Sequence, residues 1–261
     1  MKPTQLLMAL ATIAYAAPTV EQTMAPTLAE LDTHSQPHIK RCGKKGPPPY
    51  YGEHPYPNQT YNQLTDGTPC RNVTLIYARG MGGKGNVGEV NGVGPIIFNR
   101  LATIIGGPEN LAIAGVKYKA NMKTVIQKGP REGGRAMTEL INRAATQCPG
   151  TKIVLVGHSV GGALVHQSAE NITTEVTARI AAAVTLGYKK RDRIGKIPKS
   201  RILVVCRKGD SFCSKTVPWE PFVYGCPIWF YKIVKTHQNY EKNANATADW
   251  IAGRLNGNVS R

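Results

Sequence analysis

The 261 residues suffice for one compact domain with a sizeable core once a poorly patterned opening is set aside, and no apolar run is long enough to span a bilayer. The 33 Lys and Arg against 16 Asp and Glu give a formal charge of +17, which favours anionic partners such as an acidic polysaccharide or an anionic lipid surface. Nucleic acid is not the expected partner, because the richest basic stretch, Lys189 to Arg201, has no aromatic residues interleaved for base stacking.

Residues 1–17 combine Lys2, an apolar run from Leu6 to Ala14 and small residues at Ala14, Ala16 and Ala17, the layout of a secretory signal peptide. Residues 18–41 are polar and end in the dibasic pair Lys40-Arg41, which marks a pro-segment with Cys42 opening the mature chain. A solvated pair left uncut is the alternative. Removing residues 1–41 takes away Lys2, Lys40 and Arg41 together with Glu21, Glu30 and Asp32, so the charge of +17 is kept. Residues 42–68 are rich in Pro, Gly, Asn and Tyr and read as an extended arm, which leaves 69–261 as the folded domain.

Six cysteines behind a signal peptide imply an oxidising compartment and up to three disulfides, with fifteen pairings open. Sequons at Asn58, Asn72, Asn171, Asn245 and Asn258 fit a secreted glycoprotein, with Asn72, at the mouth of a strand, the least suited to modification.

Val73 to Ala78 is a short apolar strand and Leu111 to Tyr118 a second, with Ile96 to Ile105 between them at helical spacing. Glu132 to Gln147 is the clearest helix, since Met137, Leu140, Ile141 and Ala144 share one face. A buried strand around Ile153 to Val156, a helix from Ala163 to Glu170, strands at Ile180 to Leu186 and Arg201 to Val205, and a helix from about Asn243 to Leu255 complete the pattern. Continuously apolar strands alternating with helices predict an α/β fold with a parallel sheet covered on both faces. In such sheets the chemistry gathers at the carboxyl ends of the strands.

The strand at Ile153 runs without a gap into Gly157-His158-Ser159-Val160-Gly161, a G-x-S-x-G pattern. A serine hydroxyl becomes a useful nucleophile when a tight strand-to-helix turn holds it clear of the backbone and beside a base, and flanking glycines let neighbouring backbone approach. Ser159 is therefore the candidate nucleophile. The amide of Val160, opening the helix that follows, points at developing negative charge.

With the order Ser, acid, His, only His166 and His237 can supply the base. His166 lies two turns up the nucleophile helix, facing away, so His237 is the candidate general base. Asp192 and Asp210 compete for the acid. Asp210 follows the Arg201 to Val205 strand and sits between Cys206 and Cys213, where a small disulfide loop would fix its carboxylate, so it is preferred to Asp192 in its basic loop.

The glycine-rich loop Arg79 to Gly94 contains the formal dinucleotide spacing Gly83-x-Gly85-x-x-Gly88. The next strand, which should end in an acid, ends Lys117-Tyr118-Lys119, so no nicotinamide cofactor is expected. There is no P-loop lysine and no metal-ligand spacing, so neither cofactor nor metal is expected. The loop is better suited to bring a second amide, that of Met81, opposite Val160 as an oxyanion hole.

Ile76-Tyr77-Ala78-Arg79-Gly80, Gly85-Asn86-x-Gly88, Gly94-Pro95, Cys148-Pro149, GHSVGGA in place of GYSQGA, Leu186-Gly187-Tyr188 and Cys206-x-x-x-Asp210-x-x-Cys213 together resemble the fungal cutinases. The matching runs from Cys70 to about Leu255, and the ending His237-Gln238-x-Tyr240 is similar to the related acetylxylan esterases. The resemblance implies a lidless, three-layer α/β-hydrolase-like sandwich on five parallel strands that cleaves carboxylic esters without cofactor. It also implies the triad Ser159, Asp210 and His237 and disulfides Cys70–Cys148 and Cys206–Cys213, leaving Cys42 and Cys226 to pair.

Three features depart from the family pattern. Met81 stands where cutinases have a serine whose hydroxyl supports the oxyanion hole. His158 and Val160 replace Tyr and Gln beside the nucleophile. Residues 214–235 form a longer segment with Trp219, Phe222, Tyr224, Trp229, Phe230 and Tyr231, suited to an apolar rim near His237 or to core packing.

These readings lead to a secreted, monomeric serine esterase. Its expected substrate is cutin or another aliphatic polyester, with acetylated xylan or a lipid ester as alternatives. A different class, a non-catalytic basic wall-binding or effector protein on an esterase scaffold, is favoured only by Met81 and the high charge.

Overall fold

The computed structural model describes residues 54–121, 131–189, 193–210, 213 and 237–256. The signal and pro-segments, the Cys42–Cys226 pairing, Asp192, the sequon at Asn258 and the aromatic segment 214–235 lie outside the described residues.

Five strands, β1 (Val73–Ala78), β2 (Leu111–Gly115), β3 (Lys152–His158), β4 (Ile180–Leu186) and β5 (Ile202–Val205), form one parallel sheet in the order β2-β1-β3-β4-β5. The helices are α1 (Val93–Ile104), α2 (Arg131–Gln147), α3 (Val160–Glu170), α4 (Thr174–Ala178) and α5 (Glu241–Leu255). The architecture is the expected α/β-hydrolase-type fold with five parallel strands. β2 stops at Gly115, short of Tyr118, and α1 starts at Val93, ahead of Pro95. Proline is accepted there because the first turn of a helix has no use for its missing N–H. The short α4 was not foreseen; the Thr173 side chain starts it by accepting from the Val176 amide at 3.3 Å.

Alternation along each strand builds the layers, because successive side chains point to opposite faces. Leu75, Tyr77, Val154, Val156 and Val184 face one side, where Ile97, Phe98 and Leu101 of α1 and Ala244, Ala248 and Ile251 of α5 cover them. Ile76, Ala78, Ile153, Leu155 and Ala183 face the other, under Met137 and Ile141 of α2 and Leu164 and Val165 of α3. Each such Leu or Ile, fully out of water, contributes about 1.5–3 kcal/mol.

Residues 54–68, the described part of the arm, lie along this domain. Tyr56 is 2% exposed, packs edge-on against Tyr61 and Phe98, and donates its hydroxyl to the Leu111 carbonyl at 2.6 Å. The Tyr56 amide donates to Asn99 Oδ1 at 2.9 Å, and Asn62 forms an antiparallel bridge with Ala114. Disulfides join Cys70 to Cys148 and Cys206 to Cys213.

From β1 the chain moves outward to β2, then crosses back to place β3 on the other side of β1. The strand order therefore reverses between β1 and β3. In open α/β sheets the crevice for ligands opens at that point, beyond the carboxyl ends. The glycine-rich loop leaves β1 there and Ser159 leaves β3 beside it.

Candidate active site

Ser159 sits between the end of β3 and the first residue of α3 with φ 54° and ψ −123°, a conformation rare for any residue with a side chain. The turn is that tight because backbone replaces side chains around it. A Cβ on Gly157 would lie 2.4 Å from the Gly161 carbonyl oxygen, and one on Gly161 would lie 2.1 Å from that of Ala78. Glycine at both positions brings the start of α3 against the end of β1, and the Ser159 amide is held by the Leu186 carbonyl at 2.7 Å.

The described residues place His237 over this turn. Ser159 Oγ lies 2.8 Å from His237 Nε2, and His237 Nδ1 lies 3.0 and 2.9 Å from Asp210 Oδ1 and Oδ2. With the imidazole proton on Nδ1, Ser159 donates to Nε2 and Nδ1–H donates to the carboxylate. Ser159, His237 and Asp210 thus form one hydrogen-bonded chain, while His166 lies 1% exposed on α3 with its ring against Tyr188.

Asp210 is 1% exposed at the turn after β5. Burial alone pushes its pKa up, but hydrogen bonds from His237 and Tyr240, the charge of His237 and the Cys213 amide outweigh burial and hold it below the usual carboxylate range. The Cys213 amide, 3.3 Å from Oδ1, is kept in place by the Cys206–Cys213 bridge.

A family model for cutinases matches residues 69–255. The chain belongs to the cutinase family. It is accordingly a carboxylic ester hydrolase. A cutinase of Blumeria hordei is 34% identical over 199 residues, spanning 76% of this chain and 77% of that one. Among solved structures, a Trichoderma reesei cutinase in complex with a C11Y4 phosphonate inhibitor aligns with TM-score 0.60 and 28% identity, over 76% of this chain and 81% of that one. The catalytic core domain of acetyl xylan esterase from Trichoderma reesei shares the fold, with TM-score 0.52 at 16% identity over 73% of this chain and all (100%) of its own.

In this cutinase-family chain the loop after β1 lies directly against the Ser159 turn. A Cβ on Gly80 would sit 3.0 Å from His158 Nδ1 and 3.5 Å from Ser159 Cβ. Met81 follows, 47% exposed, so its side chain faces solvent rather than the core. The loop is braced from β1 and from the segment after β2. Arg79 donates from Nε to the Gly83 carbonyl at 2.8 Å and from Nη2 to the Tyr118 carbonyl at 3.0 Å, the Tyr118 hydroxyl donates back to the Arg79 carbonyl, and the Gly82 amide reaches the Ala120 carbonyl at 3.0 Å.

Two parts of this site were not read from the sequence. The first is that brace, Arg79 with Tyr118. The second is Tyr240, fully buried, whose hydroxyl donates to Asp210 Oδ2 and accepts from the Arg207 amide at 3.1 Å. Burial, then the hydrogen bond to Asp210, push its own pKa upward, so it stays a donor through the working pH range. The signal for it was its place three residues after His237, in the same polar break.

Proposed function

We propose that this ester hydrolase is a secreted serine esterase that works through an acyl-enzyme, with an aliphatic polyester such as cutin as substrate. The observation that carries the reading is the hydrogen-bonded chain from Ser159 through His237 to Asp210 at the carboxyl ends of the sheet. As Ser159 Oγ attacks the ester carbonyl, His237 Nε2 takes its proton, and buried Asp210 stabilises the imidazolium without taking the proton itself. The amides of Val160, at the start of α3, and Met81 hold the oxyanion. His237 then protonates the leaving alcohol, and water attacks the acyl-enzyme by the same route in reverse.

Secretion is supported by the layout of residues 1–17 and by the two disulfides, which persist in oxidising compartments. Asn58, Asn72, Asn171 and Asn245, all exposed and in sequons, are the described positions offered for glycosylation. Among the described residues no helix is long and apolar enough to cross a membrane.

The test is hydrolysis of p-nitrophenyl acetate, butyrate and palmitate and of cutin by the wild type and Ser159→Ala, with fluorophosphonate labelling of both. Activity and labelling that disappear together in the variant support the mechanism, and release of hydroxy fatty acids from cutin supports the substrate. Activity on acetate esters alone would move the substrate to acetylated polysaccharide. Folded wild type that neither labels nor hydrolyses would overturn the esterase mechanism in favour of a binding protein.

A further inference from the structure

At the opposite end of the sheet from Ser159, the amino ends of β3, β4 and β5 open into a cleft of about 800 Å³. The seven residues of β3 separate it from the nucleophile turn by about 20 Å. Lys152, Arg179, Arg201 and Arg254 line it, and among the described residues no carboxylate does.

Part of this charge has a structural use. α2, α4 and α5 all end here, and their last carbonyls need donors. Lys152 Nζ donates to the Leu255 carbonyl at 2.6 Å, Arg179 to those of Ala145, Cys148 and Thr151 at 2.5, 2.8 and 2.9 Å, and Arg201 Nη1 to those of Ala178 and Ile180 at 3.0 and 3.2 Å. The guanidinium of Arg254 lies 4.7 Å from the centre of the Trp250 ring. Magnitudes decide whether capping accounts for the cluster. Each helix end carries about −0.5 charge, so three ends supply roughly −1.5 against the three full positive charges of Lys152, Arg179 and Arg201. A surplus of about +1.5 remains among these groups, in a concavity where low-dielectric walls concentrate its field.

We propose that this cleft is an anion-binding site for a carboxylated polysaccharide, separate from the ester-cleaving site. The carbonyl contacts hold the cations in fixed positions, so binding does not have to order long side chains first. Arginine presents planar pairs of N–H donors that match carboxylates, and in Arg201 the described contacts use only Nη1. Ser200 and Asn256 add neutral hydroxyl and amide groups of the kind that meet sugar hydroxyls. A membrane fits less well, because the surface is concave and the large exposed apolar residues among those described, Met81, Val90 and Ile104, do not line it. A single-stranded nucleic acid would require aromatic platforms, and among the described residues none lines the cleft.

The choice of an extracellular polymer rests on the secreted reading above, so the test measures binding without relying on ester hydrolysis. Ser159→Ala protein is titrated with polygalacturonate, with fully methyl-esterified polygalacturonate, and with phosphatidylcholine–phosphatidylglycerol vesicles. Binding to polygalacturonate alone is expected, falling steeply as salt is raised. Adding Arg201→Gln and Arg254→Gln should weaken it about tenfold or more. The control pair Arg135→Gln and Arg143→Gln, exposed on α2, removes the same charge elsewhere and should leave affinity within about twofold. With Ser159 restored, Arg201→Gln/Arg254→Gln should hydrolyse p-nitrophenyl butyrate at the wild-type rate, showing an intact fold. Equal losses from both pairs, undiminished binding in Arg201→Gln/Arg254→Gln, or cleft-dependent binding to vesicles instead of polygalacturonate would each overturn the proposal.

Discussion

The Tyr240 hydroxyl and the His237 imidazole approach the Asp210 carboxylate together, both reaching Oδ2. Tyr240 holds the carboxylate that in turn holds His237, the proposed base. Asp210 has a depressed pKa in the fold, so its contribution to stability is present above the ordinary carboxylate pKa of about 3.9 and is lost as pH falls through the lowered value. Tyr240→Phe removes one of the bonds that lower it. Asp210 should then take up a proton at a higher pH, so the midpoint of acid unfolding moves upward. A stability loss of about 1.5–3 kcal/mol, the worth of a hydrogen bond to a charged acceptor, accompanies this. Denaturant melts and acid-unfolding curves check it; a less stable variant with an unmoved acid-unfolding midpoint would reduce Tyr240 to a packing role.

Ser159 holds its strained backbone at the cost of stability. A strained φ/ψ costs about 1–3 kcal/mol, whereas glycine in its place loses about 0.5–1 kcal/mol more chain entropy on folding. Ser159→Gly should therefore be about 1 kcal/mol more stable than wild type while losing activity at least 1000-fold, to about the level set by the remaining site. Thermal melts beside esterase assays test the pairing of effects.

Met81 is exposed, so exchanging it disturbs little packing. Met81→Ser supplies a hydroxyl at the position where cutinases carry one. If the oxyanion is held by the two amides alone, that hydroxyl should raise kcat by about three- to tenfold with little change in KM, a fraction of what a full donor contributes. An unchanged kcat would place residue 81 away from the developing charge.

The two described disulfides should separate stability from activity. Cys70–Cys148 spans 78 positions and Cys206–Cys213 seven, so loop-closure entropy assigns about 4 and about 2 kcal/mol to them. Replacing the first pair with serine should lower Tm more, yet replacing the second should lower kcat more, because the Cys213 amide holds Asp210. Melting curves and kcat on p-nitrophenyl butyrate for each double variant give the comparison.

The strands and the nucleophile turn were legible because their signals are local. β1, β3 and β4 are mostly apolar runs, with Thr74 and Thr185 the polar residues inside β1 and β4, and G-x-S-x-G needs only five consecutive residues. His237 and Asp210 followed by elimination, since few residues qualified. Tyr240 escaped because its role depends on a carboxylate 30 positions away, and Arg79 because its partners, Gly83 and Tyr118, lie in the loops that follow two different strands. The basic cleft was less visible still. Charge was densest at Lys189 to Arg201, whereas the cleft draws single cations from positions 152, 179, 201 and 254. Composition made 42–68 an arm, because tyrosines that enter a core one at a time, such as Tyr56 and Tyr61, leave no period to detect.

The burial of Tyr56 redraws the edge of the catalytic unit. The family match begins at residue 69, yet the ring wedged between Tyr61 and Phe98 belongs to a segment that starts at least 15 positions earlier. A truncated chain beginning at Cys70 would leave a solvent-filled socket above α1 and β2, a loss comparable to the roughly 3–5 kcal/mol of deleting a large core aromatic. What looks like a dispensable leader is a keystone, and an expression boundary drawn from family resemblance alone would give up a large share of the roughly 5–15 kcal/mol that holds a typical domain folded.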